Sequence, residues 1–128
     1  MGNTVLLVDD SAIVRSVLQV VLENEQLELL EAEDGDRAWQ LIRLVPVDLV
    51  IADINMPGAD GITLLERMRA ATEPRLRDLP VVLLTADLST ELEARGRGAG
   101  ANAFVHKPVA PATLVGHVRR LLAERVPS

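Results

Sequence analysis

Asp9-Asp10, Asp53, Thr85 and Lys107 each follow an apolar run: Thr4 to Val8, Leu49 to Ala52, Leu79 to Leu84 and Ala103 to His106. Short continuous apolar runs read as parallel strands buried on both faces. Open sheets of such strands bind ligands outside their carboxyl ends. Carboxylates brought together there repel, and each raises the pKa of the next. A hard cation among them relieves this. Oxygen ligands without thiol or imidazole favour Mg²⁺, which keeps several waters and readily takes a phosphate partner. Lys107 and Thr85 add donors for an anion. Together these residues could hold a phosphoryl group between Mg²⁺ and an ammonium, with Asp53 as the candidate nucleophile giving an acyl phosphate. Each residue alone has a plainer reading. Asp53 and the Asp9-Asp10 pair could cap the helices that follow them, Thr85 could satisfy strand-end backbone groups, and Lys107 could snorkel at the surface.

Positioning these groups requires strands alternating with helices. Thr4 to Val8 is predicted as the first strand, and Ser11 is a fair N-cap for a helix burying Ile13, Val14, Val17, Leu18, Val21 and Leu22. Leu27 to Ala32, flanked by Glu, reads as a sheet-edge strand. Asp34-Gly35-Asp36 opens a second helix with Ala38, Leu41, Ile42 and Val45 inward and Trp39 off the stripe, and Pro46 ends it. After Asp53, Met56-Pro57-Gly58 turns the chain. Asp60-Gly61 opens a third helix on Ile62, Leu64, Leu65 and Met68. Thr72 to Asp78 reads as a loop. A weak fourth helix is expected from Thr90, with Glu93 completing a capping box; its apolar stripe is thin, and Gly96, Gly98 and Gly100 cluster at its end. Pro111 suits the start of a fifth helix burying Leu114, Val115, Val118, Leu121 and Leu122. Five strands alternating with five helices imply an α/β fold, a parallel sheet covered on both faces with right-handed crossovers.

Composition narrows the function. With 128 residues, one domain (1–128) is expected. Hydrophobic residues make up 48 %, with Trp39 and Phe104 the only aromatics, so the core must be aliphatic. A formal net charge of -6 argues against nucleic acid or an anionic membrane as the main partner. Arg67, Arg69, Arg75 and Arg77 are interleaved with acids and read as solvated surface. The absence of cysteine excludes disulfides and thiolate chemistry, and His106 and His117 alone cannot make a multi-His metal site. The N-terminus shows neither a signal peptide nor a spanning segment, and Leu6 stands where a myristoylation signal needs Ser or Thr. A soluble cytoplasmic protein is expected.

Asp9-Asp10, Asp53 with Met56-Pro57-Gly58, Asp60-Gly61, Thr85-Ala86 and Lys107-Pro108, in this order and at these spacings, resemble the receiver domain of bacterial two-component response regulators. The resemblance covers nearly the whole chain. It implies a doubly wound, flavodoxin-like sheet of order 2-1-3-4-5. Asp53 would accept a phosphoryl group from a histidine kinase or phosphotransfer protein. Asp10 and Asp53 would bind Mg²⁺ directly, Asn55 through its backbone carbonyl and Asp9 through water. Lys107 would pair with the phosphoryl oxygens, before a cis Lys107–Pro108 bond. Thr85 would bond the phosphoryl group and move on activation, with Phe104 as switch aromatic. Asn55 and Asp87 would border the path of the hydrolytic water and set the acyl-phosphate lifetime. Val109 departs from the family, which often has an aromatic there.

Two other readings differ in class. A haloacid-dehalogenase-like phosphatase also uses a strand-end Asp with Mg²⁺, but needs a second acid where Asn55 stands. A degenerate receiver serving only as a binding module usually lacks an acid, the acceptor or the lysine, and all are present. The expected protein is therefore a self-phosphorylating switch, not a turnover enzyme. No output domain is expected after the fifth helix, and whether the receiver stands alone or was cut from a longer protein stays open. Its signal would pass to a downstream protein, or into self-association, through the fourth helix, fifth strand and fifth helix.

Overall fold

A computed structural model describes residues 2–56 and 60–124. Its elements run β1 (Thr4–Val8), α1 (Ala12–Leu22), a 3₁₀ turn (Glu23–Glu25), β2 (Glu28–Ala32), α2 (Gly35–Leu44), β3 (Leu49–Asp53), α3 (Gly61–Ala70), α4 (Pro74–Arg77), β4 (Val81–Thr85), α5 (Thr90–Gly98), β5 (Ala103–His106) and α6 (Pro111–Glu124). All strand pairs are parallel, in the order β2-β1-β3-β4-β5. The chain leaves β1 toward β2, then crosses back to β3 and continues the other way, so the carboxyl ends of β1 and β3 flank the reversal where such sheets bind ligands.

Every residue of β3 and β4 is buried, as expected of strands covered on both faces. Alternate side chains face opposite layers. Val5, Leu7, Leu49, Ile51, Val82, Leu84 and Val105 pack with Leu18 and Leu22 of α1 and Leu114, Val118 and Leu121 of α6. Leu6, Val8, Val50, Ala52, Val81, Leu83 and Phe104 pack with Ala38 and Ile42 of α2, with α3 and with Leu76 of α4. At roughly 1.5–3 kcal/mol for each large aliphatic side chain removed from water, these two layers supply most of the drive to fold.

Several expectations change. Six α-helices stand among the described residues, not five. The segment expected as a loop, Thr72 to Asp78, contains α4, a single turn with Pro74 at its start and only Leu76 buried. One turn with one apolar contact carries no periodic signal. In α1, Leu18 and Leu22 are buried, but Ile13 is 78 % exposed and Val17 52 %, alongside Val20 at 64 %. The apolar arc of α1 is wider than the strip that the sheet and α6 cover. At the helix from Thr90, now α5, the cap is Ser89, whose side chain accepts from the Leu92 N–H, in place of the expected Thr90–Glu93 box. β4 begins at Val81, after Pro80, because proline cannot donate to the ladder. Val45 follows α2 in extended conformation, the conformation imposed on a residue before proline. The turn expected at Pro57-Gly58 lies outside the described residues.

Arginines expected as solvated surface hold the loops. Half-buried Arg69 donates to the carbonyls of Gly100 (2.8 Å), Leu79 (2.7 Å) and Arg77 (2.9 Å) and to Asn102 Oδ1 (3.0 Å). Arg75 donates to the Ile42 and Arg43 carbonyls at the end of α2. Trp39, half-buried as its place off the stripe suggested, has the guanidinium groups of Arg43 (5.4 Å) and Arg67 (5.9 Å) over its ring.

Candidate functional site

Asp53 ends β3, and its side chain turns back on its own loop. Oδ1 accepts the Asn55 N–H at 3.1 Å, an Asx turn that ends the strand. Oδ2 faces Lys107 Nζ at 3.2 Å. Asp9 ends β1 in the same way. Its N–H donates to the Ala32 carbonyl at 3.1 Å, Oδ1 accepts the Ser11 N–H at 2.9 Å, and Oδ2 accepts Lys107 Nζ at 3.0 Å. Lys107, just after β5 and before a cis Lys107–Pro108 bond, thus bridges two carboxylates at the ends of adjacent strands. Asp9 and Asp53 are 1 % and 4 % exposed, whereas Asp10 is exposed.

One carboxylate oxygen from each of Asp9, Asp10 and Asp53 lies within 4.8 Å of the others. That spacing, with hard oxygen donors only and one acid open to solvent, fits a divalent cation that keeps waters. Burial pushes the Asp53 carboxyl above its usual pKa. The Asn55 N–H and the Lys107 charge pull it back in part, and the Asp9 charge adds to the rise. For Lys107, burial works to lower the pKa, but its bond to Asp9 and the charges of Asp53 and Asp9 outweigh this and raise it. The ammonium is therefore firmly charged at neutral pH.

α3 starts close to β3. A Cβ on Gly61 would lie 2.6 Å from the Asp53 carbonyl oxygen, so only glycine permits this approach. Its N-cap is Asp60, which accepts from the Thr63 N–H at 2.9 Å.

Thr85 is fully buried at the end of β4. Its Oγ1 accepts the Asp87 N–H at 3.0 Å and Asn55 Nδ2 at 3.3 Å. Asp87 in turn accepts the Ser89 N–H at 2.8 Å, leading into α5. Phe104, two residues back from His106 along β5, is 8 % exposed and packs with its ring edge-to-face on His106 at 5.5 Å. The structure thus brings Asp9, Asp10, Asp53, Asn55, Thr85 and Lys107 to one sheet edge. Asp87 is joined to it through Thr85, and Phe104 lies in the core beneath α5.

One residue at this edge escaped the sequence reading. Arg15 donates through Nη1 to the Asp9 carbonyl and through Nε to Glu31 at 2.8 Å. The available signal was that Arg15 is the only charged residue in α1.

The sequence model of the response regulator receiver domain family matches residues 5–119. The chain belongs to this family. The receiver is 37 % identical over 122 residues to response regulator GtcR of Aneurinibacillus migulanus, covering 95 % of this chain and 48 % of GtcR. It is 33 % identical over 127 residues to the phosphate regulon transcriptional regulatory protein PhoB of Pseudomonas aeruginosa, covering 99 % of this chain and 55 % of PhoB. The receiver thus spans about half the length of these curated relatives. Among solved structures, the signal receiver domain of a signal transduction histidine kinase from Syntrophus aciditrophicus superposes with a TM-score of 0.88 at 32 % identity, covering 99 % of this chain and 96 % of that one. Chemotaxis protein CheY4 of Vibrio cholerae gives 0.85 at 29 %, covering 94 % and 99 %.

Proposed function

We propose that this receiver is the phosphoacceptor of a two-component phosphorelay, and that Asp53 takes a phosphoryl group from the phosphohistidine of a histidine kinase or phosphotransfer protein. The observation that carries this is the buried Asp53 carboxylate beside an ammonium shared with Asp9, with carboxylate oxygens of Asp9 and Asp10 within 4.8 Å. An Asp53 oxygen attacks phosphorus in line, the O–P bond forms as the P–N bond breaks, and the imidazole leaves. Lys107, released from its share in the two carboxylates, pairs with a phosphoryl oxygen. Thr85 holds its hydroxyl proton for another, because its oxygen already accepts two bonds. Asp10, Asp53 and the Asn55 carbonyl would hold Mg²⁺, with Asp9 acting through water. The ion supplies charge neutralisation where acids and phosphoryl oxygens crowd.

α1 begins at the site, and its exposed Ile13, Val17 and Val20 offer the donor protein an apolar surface beside the acids. The phosphorylated state is read on the face of α5, β5 and α6, by a downstream protein or a second copy. The domain is a cytoplasmic switch, not a turnover enzyme. Among the described residues no helix is long and apolar enough to cross a membrane. A phosphatase of the haloacid dehalogenase kind is disfavoured, because the place of its second acid is taken by Asn55, an amide engaged with Thr85.

Acetyl phosphate with Mg²⁺ is expected to add one phosphoryl group, seen by intact mass spectrometry, and to add none to Asp53→Asn. Equal labelling of the variant would place the acceptor elsewhere.

A further inference from the structure

Asp9 and Asp10 are adjacent in sequence but are held very differently. Both carboxylate oxygens of Asp9 and its N–H have partners. The Asp10 carboxylate is exposed, and among the described residues nothing hydrogen-bonds it. The direction in which Asp10 points is therefore set by its backbone, and first by the peptide group joining it to Asp9. That peptide's oxygen is the Asp9 carbonyl, and the side chain that holds it is Arg15.

Arg15 is itself fixed. Its side chain is 15 % exposed, it rises from the second turn of α1, and its Nε is paired with Glu31 of β2 at 2.8 Å. One guanidinium thus ties the edge strand β2 and the helix α1 to the peptide that aims Asp10. A planar fork of donors suits such a task, since each bond fixes the direction of the others. Lysine presents its three donors from one nitrogen and cannot spread them over a planar fork.

We propose that Arg15, anchored by Glu31, is the positioning residue of the acid pair: it holds the Asp9–Asp10 peptide so that the Asp10 carboxylate is presented to Mg²⁺. This rests on the phosphoacceptor reading above and adds two residues to its machinery. Neither touches the phosphoryl group. Partners behind the direct ligands typically govern metal affinity by 10–100-fold.

The test is Mg²⁺ affinity of the full chain by isothermal titration calorimetry, alongside urea unfolding of the same samples. Arg15→Gln should weaken Mg²⁺ binding about tenfold or more, Arg15→Lys less, and Glu31→Ala least. Glu31 is an exposed carboxylate whose loss leaves the core intact, so it keeps the test open if Arg15→Gln folds poorly. Labelling by acetyl phosphate, which needs no kinase docking on α1, should require correspondingly more Mg²⁺ for half-maximal rate while reaching a near wild-type rate at saturation. In an Asp10→Asn background, Arg15→Gln should cost little further affinity. Lower urea midpoints with unchanged Mg²⁺ affinity in every variant would overturn the proposal and leave Arg15 a structural tie between α1 and β2. Absence of Mg²⁺ binding to the wild-type chain would instead overturn the phosphoacceptor reading on which it stands.

Discussion

Burial and charge work against each other at Asp53. Desolvation holds its carboxyl pKa up, against the pull of the Asn55 N–H and Lys107. An acid whose folded-state pKa lies above its unfolded value favours folding below the unfolded pKa, and that contribution is lost as pH rises through the folded value. Ionised Asp53 therefore opposes folding at neutral pH when no cation is present. In EDTA at neutral pH, Asp53→Asn is expected to melt higher than wild type, the gap closing as pH falls through the carboxylate range. Thermal unfolding across pH checks this; a lower melting point for the variant at neutral pH would mean that the Lys107 pair outweighs burial. Asn55 and Asp87 both donate to the Thr85 hydroxyl oxygen, one from its side chain and one from its backbone. Asn55→Ala and Asp87→Ala should change the decay rate of the acyl phosphate while altering stability by no more than about 1 kcal/mol, as phosphate-release and urea measurements would show. The placing of the acids, Thr85 and Lys107 at one edge was legible in the sequence because each follows an apolar run and the ordered set matches the family's spacing, whereas each residue alone has a plainer reading. Arg15, Arg69 and Arg75 were not, because each bonds backbone carbonyls, which every residue type supplies and no pattern marks, and the side chains that Arg15 and Arg69 also meet are distant in sequence.

Under the proposed function, α5 is the element on which output would turn. Its N-terminus is reached from Thr85 through Asp87 and Ser89, and its far end is tied down where Arg69 bonds the Gly100 carbonyl. Within it, Gly96 is buried, and a Cβ there would lie 2.9 Å from Leu83 Cδ1 and 3.1 Å from Phe104 Cε2. The helix backbone thus packs closely against Leu83 and Phe104 at this point. Drawing Thr85 toward a phosphoryl group gives a contact that differs between two states, the condition for shifting their balance. With beryllofluoride and Mg²⁺, hydrogen exchange should change between Thr85 and Lys107 beyond the shielding of the site itself. A change confined to the surroundings of Asp10 and Asp53 would move the output face elsewhere, with α1 next in line. The glycines separate into two kinds. Gly98 has open space around it, so Gly98→Ala should stabilise α5 by about 0.5–1 kcal/mol. Gly61→Ala meets the Asp53 carbonyl, which cannot step aside, and should cost about 1–3 kcal/mol and slow phosphorylation as well. Denaturant midpoints of the pair distinguish these cases. Every strand and each long helix was readable from apolar runs and caps. α4 and the exposed flank of α1 were not, since a single turn has no period and an apolar arc does not say how much of it a neighbour covers.

At the scale of the molecule, two largely aliphatic layers clamp one parallel sheet, and both aromatic side chains pack in the same layer. Sheet order, legible only through the family resemblance, puts β1 and β3 side by side, and so places acids from distant parts of the chain at one edge. The curated relatives GtcR and PhoB are each about twice as long as the matched receiver. The placement of Trp39 has an optical consequence. It is the chain's only tryptophan, and there is no tyrosine, so intrinsic emission comes from one indole. That indole is in contact with the guanidinium groups of Arg43 of α2 and Arg67 of α3, on the layer away from α1 and α6. Its emission should shift sharply when α2 and α3 part on unfolding, yet stay nearly constant as Mg²⁺ or beryllofluoride is added. Fluorescence would thus give a clean denaturation curve for every variant named above and would be blind to the switch itself.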